Sequence, residues 1–333
     1  MHDKKATHDA LLRALKALGT AAGASVLSDY LKAEGTVIPP RTIRLHLQQL
    51  DRAGLTETVS RRQGRKLTAR GIQEIERGNV IEKLGFIAAR IDQLGFQMSF
   101  NLQSGKGSVI ANTAVLPQHY LIRAVEEMKP VFAAGLGMGD RIVVAHAGSR
   151  IGNLEVKEKH AAVATVCSVT VNGILLHAGV PTISRFGGLL EMRDYRPQRF
   201  VELIEYRGTT IDPLDIFIES GMTSVRACGR TGNGLIGASF REIPSLALPA
   251  VQHLRKEMSR IGLRGILAVG RANQPLMGIP VSEGRAGMIV IAGINPVAAL
   301  IESGARIQIE SLAQLIDYRL FTPLHEWRHK YSG

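Results

Sequence analysis

Two consecutive prolines, Pro39 and Pro40, end whatever precedes them and open a helix, because proline is tolerated in the first helical turn but not in the interior. Through the following TIRLHLQQLDR, a turn of about 100° per residue places Ile43, Leu47 and Leu50 in one narrow sector. Arg41, Arg44, Leu45, Gln48 and Arg52 fall on the opposite side. Such a helix must bury its apolar stripe against partner elements, and it then leaves a basic face in water.

The partners are legible on either side. Thr7 to Leu18 reads as a helix with Leu11, Leu15 and Leu18 on one face, stopped by Gly19. SVLSDYLKAEG reads as a second short helix with Val26, Leu27, Tyr30 and Leu31 apolar, closed by Gly35. After the third helix, Leu55 to Ser60 predicts a first wing strand, Gln63-Gly64 the tip and Lys66-Leu67 the return. Thr68 then caps a helix from Ala69. Between Val37 and Gly71, Arg41, Arg44, Arg52, Arg61, Arg62, Arg65, Lys66 and Arg70 stand against Asp51 and Glu57 alone.

Three helices and a basic hairpin in this order predict a winged helix-turn-helix over residues 1–80. A solvated charged face on a small helical bundle does not account for that coincidence. Arg and Gln can hydrogen-bond base edges in a major groove, and Arg also pairs with phosphates. Arg41, Thr42, Arg44, Leu45 and Gln48 are therefore the candidates to enter the groove. Arg61, Arg62, Arg65 and Lys66 are the candidates to hold phosphates or reach the neighbouring minor groove. The formal charge of +12 agrees with a polyanionic partner. Fifteen Lys and Arg against nine Asp and Glu lie in the first 84 residues, so half of that excess sits there.

Residues 81–333 read as a mixed α/β unit, giving an α+β chain overall. Strand-like segments are FQMSFNL, SVIANTAVL, RIVVAHAG, AAVATVCSVTVNGILLHAGV, FVELIEYRG and MIVIAGI. Helices are expected at HYLIRAVEEMKPVFAAG, PLDIFIESG, ALPAVQHLRKEMSRIG and PVAALIESG, with Asp212-Pro213 and Asn295-Pro296 each read as N-cap plus proline. The connection GNVIEKLGFIAAR has no Pro/Ser-rich linker and reads as rigid or helical. GILLHAGVPTISRFGGLLEM from Gly173 resembles GILAVGRANQPLMGIPVSEGRAGMIVI from Gly265, which suggests a duplicated half-domain with pseudo-twofold symmetry and places Arg185 opposite Arg285. The cleft between such halves is a natural ligand site.

No P-loop, HExxH or GxSxG occurs, and the Gly135–Gly139 run follows a helix and precedes a strand, the wrong context for a dinucleotide fingerprint. Gly229 to Gly234 could form a backbone anion nest or a simple loop. The ten histidines form no metal spacing, His325 and His329 reading as a surface pair. Cys167, one of two cysteines, lies in an apolar run and reads as a packed thiol. No catalytic residue, metal site or cofactor is expected. The N-terminus has no uninterrupted apolar core, and the longest apolar stretch is broken by Gly293, Asn295 and Pro296, so the expectation is a cytoplasmic protein with no membrane partner.

Residues 163–193, VATVCSVTVNGILLHAGVPTISRFGGLLEMR, closely resemble the regulatory domain of the NrpR family of nitrogen-regulatory repressors. So do TTIDPLDIFIESGMTSVRACGRTGNG, ASFREIP and GMIVIAGINPVAALIESG, and RTIRLHLQQLDRAGLT resembles that family's DNA-binding domain. The likeness runs from about residue 8 to 320 and departs from the family pattern at Gly135–Gly139. It implies a repressor acting as a homodimer on a palindromic double-stranded DNA operator, with 2-oxoglutarate as small-molecule effector. It also implies that residues 81–333 form one regulatory, dimerisation and effector-binding domain, where some members carry two. A dicarboxylate needs cationic, hydroxyl and N–H donors, and Arg185, Thr223, Ser224, Arg226, Arg230, Arg241 and Asn295 are the candidates in the matching segments. Arg185 and Arg241 could equally be structural, paired with Glu191 or Glu242. Two other classes stand beside the repressor: an enzyme acting on a small anion through the α/β unit, and a winged helix used for protein contacts.

Overall fold

The computed structural model describes residues 4–60, 62–72, 75 and 86–331. Two compact units, 1–84 and 85–333, make up the chain. The expected helical connection over 78–90 falls largely outside the described residues.

In the N-terminal unit, helices α1 (Lys4–Leu18), α2 (Ala24–Ala33) and α3 (Pro40–Arg52) precede the antiparallel wing strands β1 (Thr56–Ser60) and β2 (Gly64–Leu67). Leu11, Leu27, Ile43 and Leu47 are wholly buried in one cluster. Each such side chain contributes about 1.5–3 kcal/mol. Ala22 exchanges backbone hydrogen bonds with Arg65 at 2.9 and 3.0 Å, an isolated bridge that joins the α1–α2 connection to the wing and has no signal in the sequence. That approach requires Gly64, which sits at φ +88° and whose added Cβ would lie 2.2 Å from the Ala22 carbonyl oxygen. The expected cap is present: Gly71 N–H donates to Thr68 Oγ1 at 3.0 Å.

The second unit opens with α4 (Phe86–Gln97). There follow β3 (Ser108–Pro117), α5 (Leu121–Ala133), β4 (Arg141–His146), the small hairpin β5 (Arg150–Ile151) and β6 (Leu154–Glu155), β7 (His160–Val166), α6 (Thr170–His177) and β8 (Ile183–Arg193). Next come β9 (Arg196–Glu205), α7 (Pro213–Glu219) and α8 (Val225–Thr231). The rest is β10 (Gly234–Pro244), α9 (Leu248–Arg260), β11 (Ile266–Val269), β12 (Arg285–Ile291), α10 (Asn295–Glu302), β13 (Gln308–Asp317), β14 (Thr322–Pro323) and α11 (Leu324–Tyr331).

The order β3–α5–β4–β7–α6–β8 is repeated as β10–α9–β11–β12–α10–β13, with corresponding elements starting 125 to 127 residues apart. A short 3₁₀ turn separates the first strand and first helix of both halves. Two five-stranded antiparallel sheets result, in the orders β11-β12-β10-β8-β9 and β13-β3-β7-β4-β14. The last strand of each half therefore leaves its own half and pairs with the first strand of the other: β8 lies beside β10, and β13 beside β3.

The repeat is real, but its register differs from the sequence expectation. Gly173–His177 belongs to helix α6, whereas Ile266–Val269 is strand β11, so the two Gly-Ile-Leu segments are not equivalent and neither are Arg185 and Arg285. Shared Gly/Pro turn chemistry produced that alignment. FQMSFNL is not a strand: Phe96 and Gln97 end α4, and the chain then turns, with Asn101 bridged to Lys106. AAVATVCSVTVNGILLHAGV is half strand and half helix, because its continuously buried part, residues 161–175, carries no periodicity to tell them apart. Asp212 caps α7 as expected, accepting from Leu214 N–H at 2.9 Å. Asn295 does not cap α10; it lies inside the helix and bonds elsewhere. Gly229 is likewise helical, in α8, packed on the Pro130–Val131 backbone rather than forming a nest.

Candidate nucleic-acid interface and effector residues

On α3, Arg41, Thr42, Arg44, Leu45 and Gln48 are all exposed, while Ile43, Leu47 and Leu50 are buried beneath them. The sequence assignment of this face is reproduced residue by residue. Leu45 is 56% exposed between arginines, a placement suited to a thymine methyl and otherwise unfavourable in water. In the wing, Arg62 is exposed, and Lys66 lies 3.1 Å from Glu57 with both more than half exposed. Arg61 lies outside the described residues. Arg65 differs from its neighbours: its Nε donates to Asp51 Oδ2 at 2.7 Å, and Thr56 Oγ1 donates to Asp51 Oδ1 at 2.6 Å. Arg65 thus holds the wing to α3, with less freedom to meet a phosphate.

The seven effector candidates fall in three places. Thr223, Ser224, Arg226 and Arg230 line an open cavity of about 500 Å³ beside α8 and α10. Within it Glu302 accepts from Thr223 Oγ1 at 2.7 Å and from the Val225 and Arg226 N–H groups at 2.8 and 2.7 Å. Glu127 of α5 takes Arg226 bidentately at 2.8 and 3.1 Å and Arg230 at 2.6 Å. Those bonds hold the Glu127 carboxyl below the usual range, the Arg226 hydrogen bond foremost. The chain's own carboxylates thus occupy Thr223, Arg226 and Arg230, while Ser224 Oγ accepts from Leu235 N–H at 2.7 Å. Glu127 and Glu302 went unnoticed because each lies at least 76 residues from the arginines it meets.

Arg241 and Arg185 make the second place. Arg241 is wholly buried and donates to Ser168 O at 3.0 Å, to Asn172 Oδ1 and to Ser239 Oγ at 3.2 Å. Burial lowers its pKa to about 10. Arg185 pairs with buried Glu242 at 2.5 Å, one of the two acids foreseen as a structural partner, while Glu191 pairs instead with Arg193 and Arg199. Nearby Asp212 is raised to about 7 by burial and then by Asp215, and burial pushes the Cys167 thiol up to about 12, a packed and unreactive group as expected. Asn295 is the third place, its amide accepting from Gly237 N–H at 2.9 Å and donating to Leu136 O and Gly237 O at 3.1 and 3.0 Å. All three bonds are internal to the unit.

Among the described residues no cluster of three or more His, Cys, Asp or Glu could hold a metal ion, and no helix is long and apolar enough to cross a membrane.

Residues 84–323 match a family model described as NrpR regulatory domains NRD1 and 2, and residues 10–75 match one described as the ribonuclease R winged-helix domain. The chain is 33% identical to the global nitrogen regulator NrpRI of Methanosarcina mazei, over 89% of this chain and 91% of that protein. It is 30% identical to the global nitrogen regulator NrpR of Methanococcus maripaludis, over 92% of this chain but 53% of that one. A Methanocaldococcus jannaschii regulator of the same name is 27% identical over 88% of this chain and 50% of its own. The chain therefore spans about half the length of these last two relatives. The crystal structure of a nitrogen repressor-like protein from Methanococcus jannaschii superposes with a TM-score of 0.60 at 25% identity, covering 73% of this chain and 98% of that one.

Proposed function

The chain belongs to the NrpR family of nitrogen regulators, and on that premise we propose that it is a transcriptional repressor. It binds a double-stranded operator as a homodimer in the cytoplasm and is released by a small anionic effector, 2-oxoglutarate. The relatives are named as regulators, not as enzymes, which sets the enzyme alternative aside.

The observation that carries the reading is the face of α3. Five side chains of groove-reading chemistry stand exposed on the side opposite a wholly buried apolar stripe, with Arg62 and Lys66 projecting from the adjoining wing. In this reading α3 enters the major groove, the wing contacts phosphates, and the second unit dimerises and sets half-site spacing. An effector acts by its differential affinity for two dimer geometries, since a ligand that binds both equally shifts nothing.

Fluorescence anisotropy on the promoter DNA of its own gene, with and without 2-oxoglutarate, tests the proposal. Tight, salt-sensitive binding that 2-oxoglutarate loosens supports both parts. Tight binding unmoved by 2-oxoglutarate keeps the repressor and removes that effector. Absence of salt-sensitive binding to any DNA removes the repressor and favours a winged helix used for protein contacts.

A further inference from the structure

The loops after the two long equivalent helices, α5 and α9, start alike, Gly135-Leu136 and Gly262-Leu263, and in the fold they meet. Arg264 N–H faces Met138 O at 3.4 Å. Gly139, at φ +118°, comes so close that an added Cβ would lie 2.2 Å from the Gly262 carbonyl oxygen. Gly139, the last of the Gly135–Gly139 run, is thus the residue that lets one half's loop pass against the other's.

Beside that crossing lies a cavity of about 420 Å³, within the range of small-molecule sites. Lys129 of α5, Arg264 of the second loop and His325 of α11 stand around it, with Asp140 as the only acidic lining residue among the described residues. Phe132 and Leu324 give it an apolar wall. Lys129 is shared with Glu126 at 2.6 Å, and His325 lies 3.9 Å from Glu326. The Arg264 guanidinium, by contrast, makes no hydrogen bond or ion pair among the described residues. This is the reverse of the Arg226 and Arg230 cavity, where the chain's own carboxylates already fill the donors. A second cavity of about 200 Å³ also has Gly135 and Arg264 in its lining, together with Arg255 from α9.

We propose that the cavity between Lys129, Arg264 and His325 is the binding site for a small organic anion, carrying a carboxylate or a phosphate, that couples the two halves of the regulatory unit. The proposal rests on the reading of the chain as an effector-responsive regulator, and it names the site. A planar guanidinium supplies the two parallel donors that a carboxylate or phosphate accepts, and Phe132 and Leu324 cover the carbon skeleton. An occupant touches α5 of the first half, the 262–264 loop of the second and α11 at once. A change in how the two exchanged halves meet is therefore a change in the ligand's own contacts, which is what a differential affinity requires.

The single tryptophan, Trp327, lies two residues beyond His325 in α11 and is buried, and its fluorescence is followed as the optical readout. The full chain is titrated with 2-oxoglutarate and, separately, with inorganic phosphate at fixed ionic strength, and retention of either anion is checked by equilibrium dialysis. Saturable binding of 2-oxoglutarate identifies a carboxylate ligand, and of phosphate a phosphorylated one; either supports the site. Arg264→Ala is expected to raise that dissociation constant at least about tenfold and Arg264→Lys to raise it less. Arg264 is exposed, and unchanged thermal unfolding of both variants is the check on folding. If Arg264→Ala binds like the unsubstituted chain while Arg230→Ala abolishes binding, this site is overturned and the anionic-effector reading stands. If neither anion binds the unsubstituted chain, both fall.

Discussion

Arg65 Nε donates to Asp51 Oδ2 at 2.7 Å, which ties the return strand of the wing to the last turn of α3. Asp51 also accepts from Thr56 Oγ1 at 2.6 Å, so one carboxylate fixes both wing strands. A basic residue expected to contact DNA is, in the fold, a strut between the wing and α3.

Asp51→Ala makes this distinction measurable. Removing a negative charge from a DNA-binding surface should, on electrostatics alone, tighten binding. Loss of the strut should instead weaken it and should lower the stability of the winged helix by about 1–2 kcal/mol, the pair being partly exposed. Anisotropy titration and thermal unfolding of the variant give the two readings. Tighter binding would show that the wing needs no such support.

Arg44 and Arg62 are expected to separate specificity from general attraction. Arg44→Ala should cost about 1–3 kcal/mol on the operator and relax preference at one base pair. Arg62→Ala should weaken every DNA about equally and reduce the slope of log affinity against log salt by about one. Titration of both variants on operator and scrambled DNA at several salt concentrations checks this.

The winged helix was readable because its signals are local. Pro39-Pro40, the Ile43–Leu47–Leu50 spacing and Thr68 each act within a few residues, and the structure repeats them. What was unreadable depends on partners far along the chain. Nothing near Arg226 points to Glu127, 99 residues away, and nothing near Arg65 singles out Asp51 over Glu57. The internal repeat was sensed through its turns but misaligned, because equivalence here lies in element order, and Gly173 in a helix and Gly265 before a strand share only composition. Strand exchange between halves leaves no local trace at all.

Two buried acids predict opposite pH responses. Asp212 sits at about 7 in the native state, raised from 3.8 by burial and then by Asp215. Between about pH 4 and about pH 7 the unfolded chain has lost a proton that the native chain keeps, so stability should fall as pH rises, by about 1.4 kcal/mol per unit at most. Asp212→Asn keeps an oxygen for the Leu214 N–H and should flatten that slope. Glu127 works the other way: its lowered pKa gives stability that is present above its unfolded pKa and is lost as pH falls below about 4. Denaturant melts of the two variants, Asp212→Asn and Glu127→Gln, across pH 3 to 8 distinguish the contributions.

Strand exchange sets what the halves of the regulatory unit can do apart. Cut between Arg207 and Gly208, the first fragment keeps β3, β4 and β7 but loses β13, which covers the flank of β3 from Gln308 to Asp317. The second keeps β10, β11 and β12 but loses β8, paired with β10 along nearly its whole length. Each fragment then exposes a long apolar strand edge over a core that includes Ile110, Ala114, Ala238 and Phe240, all wholly buried in the intact chain. Neither fragment should unfold cooperatively alone, and each should aggregate. Mixed or co-expressed, they should restore both sheets and melt as one unit, because every missing strand is carried by the partner. Circular dichroism melts of the separate and combined fragments, residues 86–207 and 208–331, decide it. A cooperative transition in either fragment alone would mean that the halves fold independently and that exchange is only a late docking step.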